Sequence, residues 1–157
     1  RDHCVTGVQT CALPIYIGLS NVTLAQVKTA QAIVPIASVQ NRFSLTDRSH
    51  TDILDYTTAQ NIAFIPYGSL GAHPLKRGAP LAQAKGVLAQ IAQTHHANPT
   101  QIALAWLLHR APNILLIPGT TTVAHLEDNI QAASIALSDA EIAQLSAVYN
   151  LGESAGG

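Results

Sequence analysis

The chain has 157 residues, of which 48% are hydrophobic and 11% charged, and its formal net charge at pH 7 is −1. That apolar share supports a packed core and excludes a disordered chain. A near-neutral charge without a basic run excludes a nucleic-acid footprint or a polybasic membrane patch, and no apolar stretch reaches the roughly 18 residues that a spanning helix needs.

In chain order, the first fifteen residues, RDHCVTGVQTCALPI, have no clear period and hold both cysteines, Cys4 and Cys11. Val5–Ile15 resembles the in-frame translation of a short-read sequencing adapter. The expected division is therefore a non-native segment 1–15 and a native segment 16–157. The C-x₆-C spacing matches no common zinc pattern and no second ligand pair follows, so no metal is expected. With the segment set aside no cysteine remains, which points to a reducing compartment and a cytoplasmic protein without a signal peptide.

From Tyr16 onward, short apolar runs alternate with helical patterns. Ile17–Ser20, Ile36–Asn41, Ile62–Tyr67 and Ile114–Ile117 are predicted strands, and their near-continuous apolarity suits a parallel sheet covered on both faces. Thr23-x-x-Gln26, Asn98-Pro99 with Gln101, and Ser138-x-x-Glu141 are helix-start signatures. His50, Asp52 and Asp55 fit a solvated first turn better than a metal site, and His95-His96 fits the surface at a helix end. The helix from Pro99 to Arg110 is predicted to bury Ile102, Trp106 and Leu107, and the helix after Ser138 to bury Ile142, Leu145 and Val148.

Ile114–Asn129, ILLIPGTTTVAHLEDN, predicts a strand, a Pro-Gly turn, three threonines and a helix start, where free N–H groups suit an anion such as phosphate. The competing explanation is that Gly119 only makes the turn and one threonine only caps the helix. Four strand–helix units fit either a small doubly wound sheet or half of a (β/α)₈ barrel. A whole barrel takes roughly 250 residues, so half of one matches residues 16–157. No glycine-rich loop follows the first strand, only Gly18-Leu19-Ser20-Asn21, which argues against a doubly wound sheet. The predicted fold is α/β, half of a (β/α)₈ TIM barrel with four parallel strands and outer helices. No Ser-His-Asp constellation or nucleophile elbow is present.

IGLSN at Ile17–Asn21, VQNRFS at Val39–Ser44, FIPYGSLG at Phe64–Gly71, NPTQIALAWLL at Asn98–Leu108 and IPGTTTVAHLEDN at Ile117–Asn129 resemble the aldo-keto reductase family, in its order and approximate spacing. The resemblance covers nearly all of Tyr16–Tyr149 and corresponds to strands five to eight, the C-terminal half of the barrel. It implies hydride transfer between NADP(H), with NAD(H) as the alternative, and a small aldehyde or ketone. It also implies that Ser20, Asn21 and Gln40 bond the nicotinamide carboxamide, and that Tyr67 stacks on the nicotinamide ring. On the same basis Ser69, Leu70 and Gly71 run along the pyrophosphate. Gly119, Thr120 and Thr121 hold the adenosine ribose or its phosphate, with His125 beside them, and Asp128 and Asn129 meet the adenine.

The sequence departs from the best-known family pattern in having Gly119 where a lysine stands and His125 where an arginine stands. Cofactor choice is therefore open. The family's catalytic tetrad belongs to the first half of the barrel, so no catalytic residue is assigned, the missing N-terminal half is an implied partner, and the chain alone is expected to be inactive. The alternatives are a cofactor-binding regulatory subunit on the same fold, like the β-subunits of potassium channels, and an unrelated four-unit α/β binding domain.

Overall fold

Three parallel strands and six α-helices make up the computed structural model, which describes residues 15–70 and 86–149. In chain order they are β1 (Gly18–Ser20), α1 (Leu24–Gln31), β2 (Ser38–Gln40), α2 (Thr51–Ala59), β3 (Ala63–Phe64), α3 (Val87–Thr94), α4 (Pro99–Arg110), α5 (Val123–Gln131) and α6 (Asp139–Tyr149). The sheet runs β1-β2-β3, with Leu19 beside Val39 and Val39 beside Phe64. The segment predicted as a fourth strand, Ile114–Ile117, is reduced to one parallel bridge between Ile114 and Phe64. Phe64 N–H donates to the Asn113 carbonyl at 2.9 Å, and Leu115 N–H donates to the Phe64 carbonyl at 2.9 Å. The next rung would need an N–H from Pro66, which has none.

The helix-start signatures form as predicted. Thr23 and Gln26 make a reciprocal capping box on α1, and Asn98 and Gln101 make one on α4, with Pro99 in its first turn. Helix α4 is buried along the whole run Gln101–Leu107 rather than on a stripe alone, because α3, α5 and the 3₁₀ turn Ala132–Ser134 all pack on it. Trp106 stacks on Phe43 at 6.5 Å between ring centroids, and Phe43 meets Phe64 edge-on at 5.9 Å. The Arg48 guanidinium lies 4.6 Å from the Trp106 ring, and Trp106 Nε1 donates to Ser146 Oγ at 3.1 Å. On α6 only Leu145 of the predicted stripe is fully buried; Ile142 is half-buried and Val148 exposed. No described helix is long and apolar enough to cross a membrane.

His95 is not the plain surface residue expected. It is half-buried at the end of α3, and its Nε2 lies 2.8 Å from Glu141 Oε1 on α6. His96 is exposed. The Ser138 backbone and hydroxyl donate to the other Glu141 oxygen at 2.8 and 2.7 Å. These bonds, with a contribution from His95, lower the Glu141 carboxyl from its ordinary 4.5 to about 2. A depressed folded-state pKa adds stability that is fully present above pH 4.5 and is lost as pH falls toward about 2. Thermal melts across that window should therefore show a falling Tm. Ser138→Ala should flatten part of the fall and cost about 1 kcal/mol near neutral pH, as loss of a helix cap does.

Candidate functional site

Parallel strands place their carboxyl ends on one edge of the sheet, where loops gather polar groups. Ser20 ends β1 and is exposed, and Asn21 follows it with φ 53°, a left-handed conformation that asparagine tolerates. Asn21 N–H donates to the Gln40 carbonyl at 3.0 Å, and the Tyr67 hydroxyl donates to Asn21 Oδ1 at 2.7 Å. Asn21, Gln40 and Tyr67 thus meet at the ends of β1, β2 and β3, Gln40 through its main chain. The Ser20-Asn21 pair caps no helix, since Thr23 caps α1.

Asn41, not among the predicted site residues, is fully buried beneath this group. Its Oδ1 accepts from Val22 N–H at 3.1 Å and its Nδ2 donates to the Val22 carbonyl at 2.7 Å, which fixes the loop carrying Asn21. The signal for it was a polar side chain closing an apolar run. Nearby, Arg42 Nε meets Asp47 Oδ2 at 2.7 Å. Burial raises the Asp47 carboxyl, but hydrogen bonds from Ser49 and Arg42 outweigh it and leave the pKa below its ordinary value.

A second group lines a cleft of about 290 Å³. Five predicted residues converge there: Leu70 from the loop after β3, Gly119 from the turn before α5, and His125, Asp128 and Asn129 from α5. Asn98, Pro99 and Thr100, at the start of α4, form the facing wall and were read from the sequence only as a helix cap. Thr120 and Thr121 are exposed and do not line the cleft. The hydroxyl of Thr120 donates to the Thr122 carbonyl at 3.2 Å, and Thr122 caps α5 by accepting from His125 N–H at 3.3 Å. Ser69 is buried, and Gly71 lies outside the described residues.

The cleft combines an acceptor-only carboxylate, two amides, an imidazole and the N-terminal end of α4 with the apolar surfaces of Leu70 and Pro99. A Cβ placed on Gly119 meets nothing within 4 Å, so that position has room for a larger side chain. Among the described residues no group of three or more His, Cys, Asp and Glu could hold a metal ion.

The chain is 42% identical over 130 residues to an uncharacterised oxidoreductase of Schizosaccharomyces pombe, spanning 83% of this chain and 40% of that protein. It is 40% identical over 141 residues to pyridoxine 4-dehydrogenase of Escherichia coli, spanning 90% of this chain and 47% of the enzyme. It thus spans about half the length of the curated relatives it matches. A crystal structure of an aldo-keto reductase from Klebsiella pneumoniae in complex with NADPH superposes with a TM-score of 0.74 at 27% identity, over 85% of this chain and 48% of that one. The model of the aldo/keto reductase family matches residues 15–150. These matches overturn the reading as an unrelated four-unit binding domain: the chain belongs to the aldo/keto reductase family.

Proposed function

We propose that this chain is the C-terminal, cofactor-binding half of a barrel whose intact parent transfers hydride between NADP(H) and an aldehyde or ketone. The observation that carries the reading is the cleft joining Leu70, Gly119, His125, Asp128 and Asn129. In this reading Asp128 and Asn129 hold the adenine, while Gly119, Thr120, Thr121 and His125 face the ribose 2′-position. Ser69, Leu70 and Gly71 follow the pyrophosphate. Ser20, Asn21 and Gln40 orient the nicotinamide carboxamide, and the Tyr67 ring covers one nicotinamide face, so that the other is left to the carbonyl substrate. Bound NADPH supplies the hydride. The Klebsiella pneumoniae relative, crystallised with NADPH, supports that cofactor. The acid and base come from the complementary half of the barrel. Segment 1–15 is read as non-native sequence, and native DNA that encodes it joined to Tyr16 would refute that. A cytoplasmic location accords with the absence of cysteine after Cys11.

Cofactor choice follows from the two missing cations. An arginine at His125 would add a fixed charge able to bond a 2′-phosphate through two parallel N–H groups, which an imidazole cannot do. His125→Arg is expected to strengthen NADPH binding by about 1–2 kcal/mol and to leave NADH nearly unchanged. Dissociation constants for both cofactors check this, and equal gains would mean that His125 does not face the 2′-position.

The test of the function is a chimera in which residues 16–157 are joined to the first half of a full-length relative such as the Escherichia coli enzyme. NADPH consumption with a panel of aldehydes and ketones is expected. A folded chimera that binds NADPH yet reduces no carbonyl would refute the enzyme reading and favour a regulatory subunit.

A further inference from the structure

Helix α5 brings His125, Asp128 and Asn129 to the cleft, yet none of its residues is fully buried, so apolar packing does little to fix where it sits. Polar bonds from the start of α4 do. Gln101, only 6% exposed, uses its two side-chain ends separately. Its Oε1 accepts from Asn98 N–H at 2.9 Å and closes the capping box. Its Nε2 donates across the helix pair to the Asp128 carbonyl at 3.1 Å and to Gln131 Oε1 at 3.4 Å. Asn98 is divided in the same way. Its Oδ1 accepts from Gln101 N–H at 2.9 Å, while its Nδ2 donates to Asp128 Oδ2 at 3.3 Å. Both the main chain and the carboxylate of Asp128 are therefore gripped by amides whose other ends are needed for the cap. A plain capping box needs only the acceptors, and aspartate or glutamate would serve it. The donors are what the amides add.

We propose that Asn98 and Gln101 are positioning residues for Asp128, and that through it they set the preference of the cleft for a base bearing an exocyclic amino group. The inference rests on the cofactor reading above and deepens it. A carboxylate accepts hydrogen bonds and cannot donate them, so a fixed Asp128 favours the amino group of adenine and disfavours the carbonyl that hypoxanthine carries at the same place. Loss of such a charged hydrogen bond is worth on the order of tenfold in affinity.

Two near-isosteric substitutions separate positioning from capping. Asn98→Asp and Gln101→Glu each keep the acceptor that closes the box and remove the donor to Asp128. In Asn98→Asp, the new carboxylate lies against the Asp128 carboxylate. The measurement is the ratio of affinities of the full chain for adenosine 2′,5′-bisphosphate and its inosine counterpart, with a thermal melt of each variant alongside. The wild type is expected to prefer the adenosine ligand by on the order of tenfold, and each variant to bring the ratio toward one while still binding both ligands and melting cooperatively, at a Tm lowered by the added charge. Equal binding of both ligands by the wild type, or an unchanged preference in both variants, would overturn the inference. Loss of Tm and of affinity for both ligands together would show a structural role and overturn it too. A wild type that binds neither ligand would instead bring down the cofactor reading on which it rests.

Discussion

A purified sample of the 157-residue chain is expected to oxidise no NADPH with any aldehyde and to associate with itself as concentration rises. The first half of this expectation follows from chemistry. Reduction of a carbonyl needs a proton donor at the oxygen; the Tyr67 hydroxyl already donates to Asn21, and His125 lies in the separate cleft proposed above for the adenosine end of the cofactor. The second half follows from exposed surface. Strand β1 is an edge of the described sheet, and Ile114 holds the other side by a single bridge. Leu115 and Ile117 beside it are exposed, and α5 shows Val123, Leu126 and Ile130 on one side, Val123 at 72% and Ile130 at 65%. Unpaired edges next to apolar side chains template pairing with another chain, and a barrel removes them only by closing. Light scattering across a dilution series together with an NADPH oxidation assay is the check. A chain that stays monomeric, unfolds cooperatively and turns over NADPH with an aldehyde would refute this.

The second large effect is on stability. Trp106→Ala is expected to cost about 3–5 kcal/mol, a substantial part of the roughly 5–15 kcal/mol that holds a typical domain together. Trp106 is buried, stacks on Phe43, carries the Arg48 guanidinium over its ring and donates to Ser146 on α6. Its removal leaves a cavity between α4 and the sheet and breaks the tie to α6. Trp106→Phe should recover part of the loss by refilling the cavity without the Nε1 bond. Chemical denaturation of the three proteins measures it, and a loss below about 1 kcal/mol for the alanine variant would mean that α4 is not the centre of the core.

What could be read from the residues depended on whether local chemistry was sufficient. The starts of α1 and α4 were legible because a capping box fixes each within three residues, and α4 spans Pro99–Arg110 as predicted. Strand lengths were not, because they depend on a neighbour: Pro66 stops the ladder on β3, and Ile114–Ile117 loses its pairing as a result. Helix α3 was read only by its end at His95-His96; its start was missed although Leu88, Ile91 and Ala92 bury one side of it, since no side-chain cap announces it at Gly86. His95 was misjudged because its partner, Glu141, is 46 residues away. In the cleft, Gly119, His125, Asp128 and Asn129 were legible through the family motif. Asn98 and Gln101 were hidden by their own success as caps, which explained them fully without reference to Asp128.

Titration of NADPH into the isolated chain at low concentration, followed residue by residue by NMR, tests the central claim most directly. Saturable binding is expected, with perturbations in two groups, Asn21 with Tyr67 and Leu70 with Gly119–Asn129, and with weaker binding when Asp128 is changed to alanine. A folded chain that shows no saturable perturbation of either group would contradict the account.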